Sequence, residues 1–324
     1  LAEMSKNPRF PPRPRAVLFV VFPGFQILDL AGPLAAFEIA NRFAPNSYRL
    51  KLAAAAPGMT LSSAGVAMPA EPLKGQASID TLVVSGGNGT RDAMGDTALI
   101  AALKRMAPRV RRVTSVCSGA FILAQAGLLE GKSATTHWRR APQLASMFPN
   151  VSVDLDCIYV RDGDVWTSAG VSAGIDLALA LIADDLGAEI SSSVAREMVV
   201  YAKRPGGQAQ HSALLELDAP RFAELNAWMR DHLSDDLSVE RLARKAAMSE
   251  RTFARTYAAE TGVTPAKAVE RMRAEAARTA LERGGGIQDI ARKTGFGDPE
   301  RMRRAFVRLY GAPPAAMRRT LRQA

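Results

Sequence analysis

Cys117 closes the run Val113-Thr114-Ser115-Val116 and precedes Ser118-Gly119-Ala120 and a helical stretch, so a thiol stands at a strand-to-helix turn. Such a turn lifts the sulfur above the carboxyl edge of a sheet, and the N-terminus of the next helix is expected to stabilise thiolate charge. Two other strand ends can converge on it. Gly86-Gly87-Asn88 follows residues 81–85 and lets backbone N–H groups approach a ligand closely, and Asp29 follows the first apolar run. Three chemistries are open at Cys117: attack on an electrophilic carbon with Asp29 as proton donor or acceptor, small-molecule binding without turnover, or inert burial. A carboxyl next to a thiol can share its proton, which is expected to raise the carboxyl pKa and make it a hydrogen-bond donor. His137 is either a member of this group or a packed neighbour of Trp138. Cys157 lies in an apolar strand and reads as core, and His211 and His232 have no role. Two cysteines and three histidines form no zinc-ligand spacing, so no metal and no cofactor is expected, and a reducing cytoplasm fits.

Positioning these residues requires a sheet. Short apolar runs at 16–22, 50–56, 81–87 and 110–117 alternate with helical stretches, which predicts a parallel-sheet α/β sandwich of flavodoxin-like type. Residues 157–160 and 165–168, around Asp162-Gly163-Asp164, predict a hairpin, and a helix over 173–186 closes the domain. The expected division is a flexible tail at 1–14, an α/β domain at 15–202, a linker at 203–217 marked by Pro205, Gly206 and Gly207, and an all-α domain at 218–324. No apolar run reaches the roughly 18 residues that span a bilayer, and Leu1 to Arg15 lacks the apolar core of a secretion signal. The reading is a protein of the cytoplasm with no membrane partner.

The charge of +10 is unevenly placed: residues 221–324 hold 21 Lys+Arg against 13 Asp+Glu, whereas 1–220 hold 21 against 19. A basic C-terminal third points to a polyanion, most simply nucleic acid. That third contains a repeat. LARKAAM at 242–248 matches IARKTGF at 290–296, an offset of 48, and with one extra residue in the second copy Phe253 falls opposite Met302 and Tyr257 opposite Phe306. Each copy reads as a short helix, a tight turn and a second helix: 239–246 with 249–261, and 287–293 with 299–310. Ser249 and Asp298 are suited to cap the second helices. The arginines left outside, Arg251 and Arg255 in one copy and Arg301, Arg303, Arg304 and Arg308 in the other, follow helix-turn-helix logic. A helix over 265–283 joins the copies, with Ala268, Val269, Met272, Ala276 and Ala280 expected to dock both. Its length of about 28 Å would hold two readers near successive major grooves.

With those motifs in view, the last hundred or so residues resemble the DNA-binding domain of the AraC family, on GFGDPERMRRAFVRLYGAPPAAMRRTL above all. Departures are Met302, Met317, Pro299, and Ala247 where the second copy has Gly295; they bear on base preference more than on fold. The likeness implies that Arg251, Thr252, Ala254 and Arg255, with Glu300, Arg301, Arg303 and Arg304, face an operator in duplex DNA. Residues 15–190 resemble the PfpI-like branch of the class I glutamine amidotransferase superfamily, on PGFQILDLAGPLAAFE, SGGNGT, SVCSGAFILAQAGLLEGKSATTHW and TSAGVSAGIDLAL. It implies Cys117 as the family cysteine, Asp29 as the acidic group beside it, Gly87 and Ser118 as oxyanion-type N–H donors, and His137 nearby. Gly86 and Asn88 complete the ligand-binding set. Protease-like members carry His after the cysteine; Ser118 is closer to the isonitrile hydratase branch. Together the halves, with RPGGQAQ at 204–210, resemble the GlxA/FtrA-like transcription regulators. That implies an activator or repressor, forming a homodimer and responding to a small, nitrogenous effector, rather than an enzyme. The alternative it leaves is a cysteine-dependent hydratase or amidase-like hydrolase.

Overall fold

The computed structural model describes residues 13–200, 203–204, 206–207, 210, 217, 219–282, 284–310 and 312–317. Most of the expected tail and linker falls outside the described residues. The chain divides into two compact units between Gly206 and Gly207.

The first unit is built on an eight-stranded sheet: β1 (Arg15–Val20), β2 (Tyr48–Ala54), β3 (Gly58–Leu61), β4 (Ala67–Pro72), β5 (Thr81–Val84), β6 (Arg112–Val116), β9 (Tyr159–Asp162) and β10 (Val165–Ser168). A separate pair, β7 (Ser133–Thr135) and β8 (Ser152–Asp154), lies beside it. The order across the large sheet is β3-β4-β2-β1-β5-β6-β10-β9. The six strands from β4 to β10 are parallel. The expectation of a parallel sheet is therefore corrected, because β3 pairs antiparallel with β4 and β9 antiparallel with β10, making the sheet mixed. Both exceptions are edge strands returned by a hairpin, the second through the Asp162-Gly163-Asp164 turn with Gly163 at φ 63. β5 and β6 are buried along their whole length, and β1 at all but its first residue, because helices cover both faces: α1 (Ile27–Phe43), α2 (Thr90–Gly95), α3 (Thr97–Met106), α4 (Gly119–Gln125), α5 (Ala141–Met147), α6 (Ala173–Leu186) and α7 (Ala188–Glu197). The last of these, not α6, ends the unit.

The second unit is helical: α8 (Ala223–Asp231), α9 (Val239–Lys245), α10 (Glu250–Thr261), α11 (Pro265–Glu282), α12 (Ile287–Lys293) and α13 (Pro299–Tyr310). Ser249 Oγ accepts the Thr252 N–H at 3.3 Å and Asp298 Oδ1 the Glu300 N–H at 3.1 Å, so both second helices are capped as their sequences require. In the turn between the helices of each pair, Ala247 (φ 53) and Gly295 (φ 77) occupy the same left-handed region. The alanine carries about 1–2 kcal/mol of strain that the glycine escapes. Phe253, Tyr257 and Phe222 fill one core; Met302, Phe306, Phe296 and Ile290 fill another. Helix α11 serves both, but with two faces. Ala268, Val269, Met272 and Ala276 pack on the first core as expected, whereas on the second Ala280 is joined by Ala274, Ala277 and Leu281, which the expected stripe left out. At 3.6 residues per turn a stripe drifts around a helix this long, so two bodies docked along it meet different sides. Among the described residues no helix is long and apolar enough to cross a membrane.

Candidate functional site

Four strand ends bring the candidate residues to the carboxyl edge of the sheet. Asp29 lies in the first turn of α1 after β1, Gly86 and Gly87 follow β5, Cys117 follows β6, and Gly170-Val171 follows β10. Strand order reverses between β1 and β5, which is where open α/β sheets place their ligands.

Cys117 has φ 56, a left-handed conformation that costs a residue with a side chain roughly 1–3 kcal/mol and persists only when neighbours enforce it. They do. Its N–H donates to the Ser168 carbonyl at 3.0 Å, and its own carbonyl accepts the Thr136 hydroxyl at 2.7 Å. Two glycines admit the thiol. A Cβ on Gly170 would stand 2.1 Å from the Cβ of Cys117, and one on Gly86 would stand 2.5 Å from the Ser118 nitrogen and 2.9 Å from Asp29 Oδ2. No side chain fits at either position.

Asp29 is fully buried. Its Oδ1 accepts the Val171 N–H at 2.7 Å, its Oδ2 the Gly86 N–H at 3.2 Å, and the Cys117 thiol bonds to the same carboxylate. Burial pushes its pKa up to about 6, against the pull of all three hydrogen bonds. The carboxyl pKa is raised as the sequence implied, but by desolvation, and the thiol opposes the rise. Burial first and the Asp29 charge second push Cys117 up to about 12, although the Ser118 N–H and hydroxyl favour the thiolate. The thiolate stabilisation expected from the start of the following helix is thus present at Ser118 but outweighed. At neutral pH the site holds one carboxylate and one protonated thiol.

The other expected ligands are placed less simply. Gly87 donates its N–H to Ser118 Oγ at 2.9 Å, which in turn lies 2.7 Å from the Thr90 hydroxyl. The Gly87 N–H is thus committed within the protein, contrary to its expected oxyanion role, whereas the Ser118 N–H does face the sulfur. Asn88 is exposed. His137 is half-buried, stacks on Trp138 with ring centroids 5.8 Å apart, and accepts the Arg139 N–H at its Nδ1. Sequence reasoning missed Gly170 and Val171, although a glycine two residues after the last parallel strand was the available signal.

In the helical unit Arg251, Arg255, Arg301, Arg303 and Arg304 are exposed, as is Glu300, while Thr252 is half-buried with its hydroxyl 2.9 Å from Ser249 Oγ. Glu300 holds Arg303 through two hydrogen bonds of 2.8 and 2.7 Å, and Arg308 is paired with Glu270. Arg301, Arg304 and Arg308 line one side of a groove of about 560 Å³ whose other side includes Arg273 of α11.

The fold and the cysteine turn define a class. Residues 15–184 match the model of the DJ-1/PfpI family, and the chain belongs to that family. Residues 242–320 match a helix-turn-helix domain, so the family domain is joined to a DNA-binding one and the protein is a transcriptional regulator of GlxA type. It is similar to the HTH-type transcriptional regulator GlxA of Rhizobium meliloti (strain 1021), 27% identical over 307 residues, covering 93% of this chain and 94% of that protein. It is also similar to the isonitrile hydratase of Pseudomonas putida, 32% identical over 188 residues, covering 58% of this chain and 78% of that one. The crystal structure of a THiJ/PfpI family protein from Pseudomonas syringae superimposes with a TM-score of 0.55 at 29% identity, over 63% of this chain and 81% of that one.

Proposed function

We propose that this regulator binds a small nitrogenous metabolite at Asp29 and Cys117, that both of its helix pairs read duplex DNA as separate helix-turn-helix units, and that it works as a homodimer on two half-sites. The carrying observation is the buried Asp29 carboxylate beside a thiol that stays protonated. Such a pair is a poor nucleophile at neutral pH and a good acceptor for an N–H donor, above all a cationic one. Selection of duplexes from a random pool, followed by titration with and without small amines, amides and nitriles, tests this reading. By linkage the effector and the DNA must change each other's affinity by the same factor. Identical DNA affinities across the whole panel would remove the sensor.

Replacing Cys117 by serine separates receptor from catalyst. The Cys117→Ser protein is expected to melt within a few degrees of the parent and to bind selected DNA with unchanged affinity, while its response to effector falls about tenfold or more. The second reading, a hydratase or amidase-like enzyme, is favoured by the Cys117–Asp29 pairing and by the likeness to an isonitrile hydratase. It requires turnover on nitrile, amide or isonitrile substrates that Cys117→Ser abolishes.

In the DNA-binding unit, Arg304 on the exposed face of α13 supports a base-reading role, since guanidinium groups pair with guanine O6 and N7. Arg304→Ala is expected to relax preference at one or two base positions by about 1–3 kcal/mol in competition binding against single-base variants of the selected site. A uniform loss on every sequence would make Arg304 a phosphate contact.

A further inference from the structure

The segment leaving the α/β unit is fastened to the back of the thiol site. Arg204 donates its backbone N–H to Asp176 Oδ1 at 2.8 Å, and its Nε and Nη2 to Asp176 Oδ2 at 2.9 and 2.7 Å. The same Nη2 reaches Ser172 Oγ at 2.9 Å. Two residues on, the Gly206 carbonyl accepts the Tyr159 N–H at 3.1 Å, and a Cβ on Gly206 would come 2.7 Å from the Tyr159 oxygen. Arg204 therefore sits against the start of α6 and Gly206 against β9, and the helical unit begins one residue later.

Ser172 and Asp176 are not arbitrary anchors. Ser172 ends the Gly170–Ser172 loop, whose other side is the thiol site: Gly170 presses on Cys117, and the Val171 N–H holds Asp29. The loop is tied into the first turn of α6 by the Gly170, Val171 and Ser172 carbonyls, which accept the N–H groups of Ala173, Gly174 and Ile175. Val171 is β-branched yet stands at φ 50, so the loop is held in a conformation that its own chain disfavours. Release of either grip lets Val171 leave that left-handed conformation, and the strain favours its doing so. An ion pair serving only to fasten the chain end would need Asp176 alone; the added bond to Ser172 places the guanidinium on the loop itself.

We infer that Arg204 is a positioning residue that holds the Gly170–Ser172 loop against Cys117 and Asp29, and through which occupancy of that site and DNA binding alter one another. The inference rests on the sensor reading for its second half only. The first half concerns the loop and the thiol alone.

The test uses the full chain, N-ethylmaleimide as the probe of Cys117 with the modified peptide followed by mass spectrometry, and duplex DNA obtained by selection. Arg204→Ala is expected to raise the rate of Cys117 modification by at least about fivefold, because the freed loop uncovers the sulfur. It is also expected to abolish the change in DNA affinity that modification of the parent produces. Ser172→Ala removes only the bond to the loop and leaves the Asp176 pair, so it is expected to reproduce both effects, and it decides the matter if Arg204→Ala does not fold. Arg204→Lys restores one donor to Asp176 without the fork to Ser172, so it is expected to match Ser172→Ala. Parental modification rates in Ser172→Ala overturn the inference. So does a DNA response to modification that persists unchanged in Ser172→Ala. If modification leaves the parent's DNA affinity unaltered, the sensor reading fails, and the modification rates alone then accept or reject the hold on the loop.

Discussion

Asp185→Ala is expected to lower the unfolding free energy of the α/β unit by about 3–5 kcal/mol, the usual loss when one partner of a buried ion pair is removed and the other stays. Asp185 has no exposed side-chain surface, and Arg112 only 3%. The carboxylate accepts from Arg112 Nη2 at 2.5 Å, from Arg111 Nη2 at 2.7 Å and from the Tyr48 hydroxyl at 2.9 Å. Burial, then the neighbouring Asp185 charge, drive the Tyr48 hydroxyl far above its ordinary pKa, so it remains a donor at every accessible pH. These groups come from the C-terminal end of α6 and from the N-terminal ends of β2 and β6, at the edge of the sheet opposite Cys117. Removing Asp185 leaves the buried Arg112 guanidinium only the half-exposed Asp184 carboxylate at 3.1 Å and the Thr81 hydroxyl at 3.1 Å, which places the loss toward the lower end of that range. The control is Arg161→Ala, whose 3.3 Å pair with Asp184 has side chains 36% and 30% exposed and should contribute about 1 kcal/mol or less. Denaturant titration with an unchanged slope measures both. Equal, small losses in the two variants would show that solvent screens the whole cluster.

That cluster also marks the limit of what the chain discloses before it folds. Arg111-Arg112 and Asp184-Asp185 are adjacent charges that read as solvated surface; what makes them a buried network is a separation of 72 or 73 residues closed by the fold. Hydrophobic period carries local information, and where a feature is local it was legible. The apolar runs of β1 and β5 announce strands covered on both faces, the Asp162-Gly163-Asp164 turn announces the hairpin, and Ser249 and Asp298 announce two helix starts. β3 and β4 were not legible: both are short and largely exposed, and Pro69 and Pro72 interrupt the second. The thiol site divides in the same way. Cys117 at a strand-to-helix turn and Asp29 after the first strand are positions along the chain, so they could be named. The Gly87 N–H was misassigned because its partner, Ser118 Oγ, lies 31 residues away. The charge state was misjudged because burial outweighs a nearby helix end, and burial is a property of the assembled unit.

The second large effect is the pH dependence of stability contributed by Asp29. Its folded pKa of about 6 lies above the ordinary carboxyl value of 3.8, so between those values the folded protein keeps a proton that the unfolded chain has released. Stability from this group is therefore fully present below about pH 4 and is lost as pH rises to about 6, the reverse of a salt-bridged carboxylate. At about 1.4 kcal/mol per pKa unit the loss is about 3 kcal/mol. Asp29→Asn cannot ionise, so its unfolding free energy should lack this fall across pH 4–7. Below about pH 4 it should be lower than the parent by about 1–3 kcal/mol, because the amide nitrogen faces one of the two backbone N–H groups that the carboxyl accepts, and that gap should close as the parent loses its about 3 kcal/mol toward neutral pH. The difference between the two profiles isolates the group, since the other carboxyls are common to both proteins. Removing the charge should also lower the Cys117 pKa and speed its modification at pH 8, because the Asp29 charge is the second cause of the high thiol value. The same titration governs the proposed effector. Protonation of Asp29 below about pH 6 turns an anionic acceptor into a neutral donor, so affinity for a cationic amine should fall there in the parent and stay flat in Asp29→Asn. Parallel stability profiles for the two proteins would mean that Asp29 titrates as an ordinary solvated carboxyl, and a solvated carboxyl gives this site no preference for a nitrogenous cation over any other small molecule.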